Sequence, residues 1–420
     1  MNFNLNKINT FLHYGYIPDP NIELPNSLRQ FINGELAGNN FTDKYPLLLK
    51  IGTVALKKSF QDEIANDYDK LHILPLSGGL DSRTVLANIL ELVDPSKIIT
   101  VTFGLPGSPD YERAKSITKK IGLRWENIDL SPGKWTWTTT MLIETAKRSL
   151  RPTWLFDSAV NHAIHLKFGK ECVYWSGFMG DSLSRISPLS SQTATWDQAK
   201  TVFSKKNCKY FNFKLTKNQF LAENCLPEQP YCQNKMLDYF TQLNYCIRQQ
   251  CFTKHIYSPV GYDIRYPFLS SEWVRFILNN PVHNRINQSL YRQILQKSWP
   301  HLFNKWNSPT RDGSIIQSLI HIKTNYILLR QITKVLPSLV LFLGTNRNVN
   351  YIDWGHALLR QVDFKEVIYS NLQDLRSRNI IDWIDIEKLW SMHQKKEILL
   401  SPELITLAAL EIHLKAGTIN

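Results

Sequence analysis

Two adjacent glycines framed by serines, in Ser77-Gly78-Gly79-Leu80-Asp81-Ser82, constrain this chain more than any other feature. An apolar run, Leu71-His72-Ile73-Leu74-Pro75-Leu76, leads into them, and a helical pattern from Arg83 to Leu90 follows. The segment reads as strand, tight loop, helix. The glycine pair opens backbone torsions closed to other residues and lets a ligand approach the main chain. Loop N–H groups and the helix N-terminus then point at one spot, which suits a polyphosphate. Ser77 and Ser82 add hydroxyl donors. Asp81 is an odd neighbour for an anion unless it holds Mg²⁺ that bridges the phosphates. A plain Ser/Gly turn with an N-cap is the bland alternative. The loop has no lysine and is not a Walker A sequence.

Downstream, Ile98-Ile99-Thr100-Val101-Thr102-Phe103 is short, β-branched and bounded by Gly104, as a buried parallel strand should be. Tyr111 to Ile121 has helical spacing and meets a C-cap candidate in Gly122, and another helical run closes before Gly169. Cys172-Val173-Tyr174-Trp175-Ser176 is a third strand candidate. Strands alternating with helices over 71–190 argue for an α/β fold, a doubly wound parallel sheet with its ligand at the strand C-terminal ends. Residues 1–70 read as a lead-in with strand-like pieces such as Tyr45-Pro46-Leu47-Leu48-Leu49, and helical, aromatic-rich patterns dominate after 190.

Composition excludes little but narrows the setting. The chain has 420 residues, 43% hydrophobic, which fits packed globular domains. Net charge is +13, but no run of Lys or Arg exceeds two, so nucleic acid is a secondary candidate. The most apolar stretch, Val335–Leu343, is broken by Pro337 and too short to cross a bilayer. With no signal-peptide profile at the N-terminus, the expected location is cytoplasmic. The cysteines, Cys172, Cys208, Cys225, Cys232, Cys246 and Cys251, contain no C-x-x-C pair, so ordinary thiols are expected.

The loop after the third strand candidate repeats the theme: Ser176-Gly177-Phe178-Met179-Gly180-Asp181-Ser182 again sets small residues beside a lone aspartate. Neighbouring strand ends would bring Asp81 and Asp181 to the same Mg²⁺ and pyrophosphate. Asp181 could instead cap the following helix. With both loops in view, the chain resembles the synthetase domain of the asparagine synthetase family, in the ATP pyrophosphatase (PP-loop) superfamily that also holds β-lactam synthetase and lasso-peptide cyclases. Phe103-Gly104-Leu105-Pro106-Gly107-Ser108-Pro109-Asp110, Ile143-Glu144-Thr145 and Gly261-Tyr262-Asp263-Ile264-Arg265-Tyr266-Pro267-Phe268-Leu269 are similar to that family's F-x-V-G-L-P-G-S-P-D, I-E-T and G-x-E-x-R-x-P-F-L segments. The likeness is densest over 71–182 and 255–313.

The resemblance implies an adenine-nucleotide α-hydrolase fold over 71–313, after a lead-in over 1–70 and before a helical extension over 314–420. It implies ATP and Mg²⁺ as cofactors and an AMP-forming amide ligase. Ser77, Gly78, Gly79, Asp81 and Ser82 would hold pyrophosphate. Leu76, Phe103, Ser176 and Gly177 would line the adenosine site. Asp110 would be a nucleotide-side acid, although it and Ser108 are also helix-cap candidates. Asp81 and Asp181 would carry the metal, and Arg151 would lie near a small-molecule or peptide carboxylate substrate.

Departures from the pattern matter as much. The family loop runs S-G-E-G-S-D-E, and its glutamate, which assists amine attack, is replaced by Phe178; phenylalanine cannot accept a proton. The following acid is Ser182. The family lysine of a late R-x-K loop maps to Arg311 or, failing that, Lys305. Asn2 stands where a glutaminase would place its nucleophilic cysteine, and the chain before residue 71 is short for such a domain. The expectation is free ammonia, ammonia from a partner chain, or an amine carried by the substrate. Phe178 and Ser182 also motivate an alternative, a nucleotide-binding protein without amine transfer.

Overall fold

The computed structural model describes residues 3–36, 38, 45–187, 193–233, 237–303 and 352–420. Five parallel strands form one sheet in the order β3-β2-β1-β4-β5: β1 His72–Pro75, β2 Ile98–Gly104, β3 Arg124–Asp129, β4 Val173–Trp175 and β5 Asp263–Arg265. The chain winds outward from β1 through β2 to β3, then returns to the other side of β1 with β4. That reversal makes the β1–β4 border the switch point where doubly wound sheets bind ligands. The α/β class and doubly wound parallel sheet expected from the sequence are both present.

The strands expected around 71–76, 98–103 and 172–176 form, and the helices Pro109–Ile121 and Leu155–Phe168 end at Gly122 and Gly169, both at φ +81°. β3 escaped the sequence reading because Arg-Trp-Glu-Asn-Ile-Asp lies at a sheet edge, where charge replaces apolar alternation. β5 emerges from the Gly261–Leu269 segment. Its Arg265 donates to Asp263 Oδ1 at 2.7 Å, to Asp67 Oδ2 at 2.5 Å and to the Glu63 carbonyl at 2.7 Å. Those bonds fasten the last strand to the end of a long helix. Phe268 is fully buried against Phe60, Trp273 and Tyr291. Ser270 caps the next helix, Ser271–Asn279, by accepting from the Trp273 N–H.

The strand-like reading of Tyr45–Leu49 is overturned. These residues open the helix Tyr45–Ile64, whose Leu48, Gly52, Ala55, Leu56, Ser59 and Phe60 are buried at helical spacing. The five-residue apolar run was the start of a longer amphipathic face, not a strand. This helix packs on Ser271–Asn279 and Ser289–Ser298. Toward the C-terminus, Ser401–Lys415 is apolar nearly all round and packs against Val362–Arg378, Thr139–Arg148 and Leu5–Tyr14. Near its start Glu403 is fully buried and accepts the Phe211 and Asn212 N–H groups at 2.8 Å each. Among the described residues no helix is long and apolar enough to cross a membrane. Val335–Leu343 lies outside them.

Gly52 marks how tightly the sheet-flanking helices pack. A Cβ there would lie 2.4 Å from Ile294 Cδ1 and 2.5 Å from Phe276 Cζ. Gly52→Ala should therefore destabilise the protein by roughly 1–3 kcal/mol, although alanine is the better helix former. Chemical denaturation checks this, and unchanged or raised stability would show slack between the helices.

Candidate active site

The loops after β1 and β4 stand side by side because the strands pair directly, with His72 opposite Val173 and Ile73 opposite Tyr174. The first loop is tied from within. Ser82 Oγ accepts the Ser77 N–H at 3.1 Å, and Ser77 Oγ accepts the Gly79 N–H at 3.1 Å. Beneath it Arg83, 1% exposed, donates to the Gly79 carbonyl at 3.1 Å and to the Leu302 carbonyl at 2.9 Å. Burial, and then the neighbouring Arg113, lower its guanidinium to about 10. Positive charge thus backs the loop. A Cβ on Gly78 would fall 2.6 Å from Asp110 Oδ1 and 2.8 Å from Arg113 Nη1, so a side chain there would displace both groups from the loop. Burial raises the Asp110 carboxyl, while Arg113 and the Gly78 N–H that it accepts pull it back.

Asp81 and Asp181 meet. The Asp181 N–H donates to Asp81 Oδ2 at 2.8 Å, and the Tyr291 hydroxyl donates to Asp81 Oδ1 at 3.1 Å. The approach depends on missing side chains: a Cβ on Gly180 would stand 2.5 Å from Asp81 Cγ, and one on Gly177 would stand 3.0 Å from Asp81 Cβ. Burial, and secondly the Asp181 carboxylate, push the Asp81 carboxyl up to about 7 against the opposing pull of the Asp181 N–H, Tyr291 and Arg292. Asp181 is exposed, 3.9 Å from Arg185, and caps no helix with its own carboxylate. Two carboxylates that repel across a shared spot are a fitting set for Mg²⁺, which takes only one or two and completes its shell with water and phosphate.

A cavity of about 480 Å³ opens over these residues and is lined by Leu76, Ser77, Asp81, Ser82, Phe103 and Asp110 from one side. Ser176, Gly177 and Asp181 line the other. Gly78 and Gly79 form the adjoining loop backbone. Arg151 does not join them. It is ion-paired with Asp19 at 2.6 Å and lies outside the cavity lining, so its charge is already matched. Lys305 and Arg311 lie outside the described residues.

A second, larger chamber of about 1000 Å³ adjoins the first, sharing Asp181, Ser182, Arg248, Gln249, Thr253 and Tyr257. Three of those come from Asn244–Thr253, a π-helical stretch. Such widened turns recur at functional sites.

The model of the asparagine synthase family matches residues 73–303, more than half of the chain. The chain belongs to the asparagine synthase family. It is also similar to the "Probable asparagine synthetase [glutamine-hydrolyzing]" of Acanthamoeba polyphaga mimivirus, 38% identical over 53 residues. That alignment covers 13% of this chain and 10% of the relative.

Against the asparagine synthase pattern, the β4 loop is the site's main departure. Phe178, where the family has glutamate, is 5% exposed and packs edge-on against Tyr266 at 5.8 Å. Met179 follows at φ +71°, a left-handed conformation that the family's glycine adopts freely and methionine holds at a cost. Its buried side chain offsets part of that strain. Tyr291, Arg83, Arg113 and Arg248 were not singled out from sequence. Arg83 follows the loop directly and Arg113 shares a helix with Asp110, whereas Tyr291 and Arg248 reach the site only through tertiary packing.

Two outcomes are expected. Asp81 is an acid whose folded pKa, about 7, lies above its ordinary value of 3.8, so the folded state binds the extra proton. Its ionisation therefore erodes stability as pH rises from about 4 through 7. Without Mg²⁺, the stability advantage of Asp81→Asn over the parent should grow across that window, then level off. The gain is on the order of 1.4 kcal/mol for each tenfold change in proton affinity, a few kcal/mol at most. Urea unfolding at pH 4, 6 and 8 reads it, and a constant difference contradicts the geometry. Phe178→Glu should destabilise by roughly 2–4 kcal/mol, since a carboxylate would enter the packed site beside Tyr266; thermal unfolding at pH 8 measures it.

Proposed function

We propose that the protein is an ATP-dependent, AMP- and pyrophosphate-forming amide ligase that adenylates a substrate carboxylate for attack by ammonia or another amine. The observation carrying this reading is the meeting of Asp81 and Asp181 at the switch point, with Ser77 and Ser82 on the same cavity. A carboxylate is a poor acyl donor because oxide would have to leave. Attack of its oxygen on the α-phosphorus of ATP releases pyrophosphate and leaves an acyl-adenylate. The amine nitrogen then bonds to the acyl carbon, AMP departs, and the amine gives up a proton.

In this proposal the Ser77 and Ser82 hydroxyls and the loop N–H groups hold the departing pyrophosphate, with Arg83 supplying fixed positive charge below. Asp81 and Asp181 would bind Mg²⁺, whose charge stabilises the leaving group. Leu76, Phe103, Ser176 and Gly177 would hold the adenosine. Asp110 would fix the loop through the Gly78 N–H. We assign the ligase unit to 71–313, flanked by the lead-in of 1–70 and the extension of 314–420, with Arg311 or Lys305 as the late-loop cation. The acyl substrate is a small-molecule or peptide carboxylate, and a partner could supply ammonia.

A second reading, nucleotide binding without amine transfer, is favoured by one observation: Phe178 fills the proton acceptor's place with a core side chain. ATP–pyrophosphate exchange across a panel of carboxylates tests the ligase. Exchange should appear with a suitable acid and fall at least 100-fold in Asp81→Asn and Asp181→Asn, with circular dichroism unchanged. Tight Mg-ATP binding by calorimetry with no carboxylate-dependent AMP release would instead establish the second reading.

A further inference from the structure

The larger chamber is not lined like the nucleotide cavity. Its wall is aromatic, with Tyr16, Trp154, Phe252 and Tyr257, and its charges are mainly basic, with Arg185, Lys206, Lys209 and Arg248 against Asp157 and Asp181. The Lys209 ammonium sits 4.7 Å from the Phe252 ring centre and 5.0 Å from that of Trp154. Among the described residues no hydrogen bond or ion pair holds it. Asp157, also on the wall, favours its charge, but burial and then Arg248 outweigh that and lower the ammonium to about 8. Arg248 lies over the Phe252 ring at 5.8 Å and has one 3.5 Å bond, to Thr253 Oγ1, but no ion pair among the described residues. Tyr16 adds a third unmet group: it is 1% exposed, stacks on Phe252 at 5.0 Å, and its hydroxyl has no partner among the described residues.

The placement of Lys209 is built, not incidental. Its N–H donates to the His13 carbonyl at 2.7 Å, and the next residues, Phe211 and Asn212, are anchored on buried Glu403. Gly15 leaves the space its side chain needs, since a Cβ there would lie 2.8 Å from Lys209 Cε. A desolvated ammonium such as that of Lys209, with no ion pair of its own, is costly unless an anion completes it. Aromatic walls contribute cation–π attraction and an apolar seat, but no counter-charge. The volume, about 1000 Å³ against about 480 Å³ for the nucleotide cavity, would leave a free amino acid surrounded mostly by water. It lies at the upper end of the roughly 300–1,000 Å³ usual for ligand pockets.

We infer that this chamber seats the acyl substrate as an anion with an aromatic or apolar body larger than a free amino acid, and that Lys209 is the residue that reads its negative charge. The inference rests on the ligase reading, because the junction at Asp181, Ser182 and Arg248 is where the substrate carboxyl would meet ATP. Arg248 faces that junction, while Lys209 contacts a second anionic group deeper in the chamber.

Calorimetry on the full chain saturated with Mg²⁺ and α,β-methylene-ATP tests this. The probes are N-acetyl-Phe-Glu-Phe-Glu, its Phe-Gln-Phe-Gln amide counterpart, and L-aspartate. The acidic peptide should bind at least tenfold tighter than either other probe. Lys209→Met should remove that preference, Lys209→Arg should keep most of it, and nucleotide affinity should not change in either. Equal affinity for the acidic and amide peptides, a preference that survives Lys209→Met, or no peptide binding while the nucleotide binds, would each overturn the inference and leave the ligase reading standing. Failure of the parent to bind nucleotide would overturn the ligase reading itself. Should Lys209→Met not fold, the two peptides on the parent and Lys209→Arg decide the matter.

Discussion

A single carboxylate, that of Asp81, is the point on which this structure turns. It is held by a main-chain donor from the β4 loop and by Tyr291 from a helix far along the chain. Those contacts exist only because β4 returns beside β1, and because Gly177 and Gly180 present no Cβ to block the approach. The sheet order, the two glycine-bearing loops and the tyrosine form one mutually dependent arrangement. Its electrostatic expense is visible in a carboxyl forced up to about 7 by burial and by Asp181. A site under that tension favours whatever brings positive charge to it.

Much of this was legible in the chain itself. A strand-loop-helix with paired glycines and an internal aspartate has few physical meanings, and its echo at 176–182 fixed where a second strand end must lie. Local signals of that kind survive folding because they concern backbone torsion and hydrogen bonding over a few residues. What stayed hidden was set at long range. Lys209, Arg248 and Tyr291 carry no local mark of function, and Arg151, an attractive cation by position, is paired with Asp19. The Tyr45–Leu49 run misled because five apolar residues fit either period, and only the following fifteen settle it.

The family segments also divide into two physical kinds. The Ser77–Ser82 and Ser176–Ser182 loops face the cavity, whereas Arg265, oriented by Asp263, ties the edge strand to the helix that ends at Ile64, and Pro267–Leu269 fills the core. Glu144 faces solvent beside Lys147 at 3.1 Å. A shared signature can thus record the demands of a scaffold as readily as those of chemistry. Ser270, where the family has aspartate, fits this view: both residue types cap a helix well.

The π-helical stretch Asn244–Thr253 gives the chamber wall an unusual evolutionary lever. Residues along a helix point about 100° apart, so deleting one position there would restore ordinary winding and swing Arg248 and Gln249 off the wall they now share. The nucleotide cavity would feel the change too, because Arg248 and Gln249 also line it and Tyr245 donates to the Ser182 carbonyl at 2.6 Å. A single codon lost or gained at this wide turn would therefore reshape the partition between the two cavities in one step.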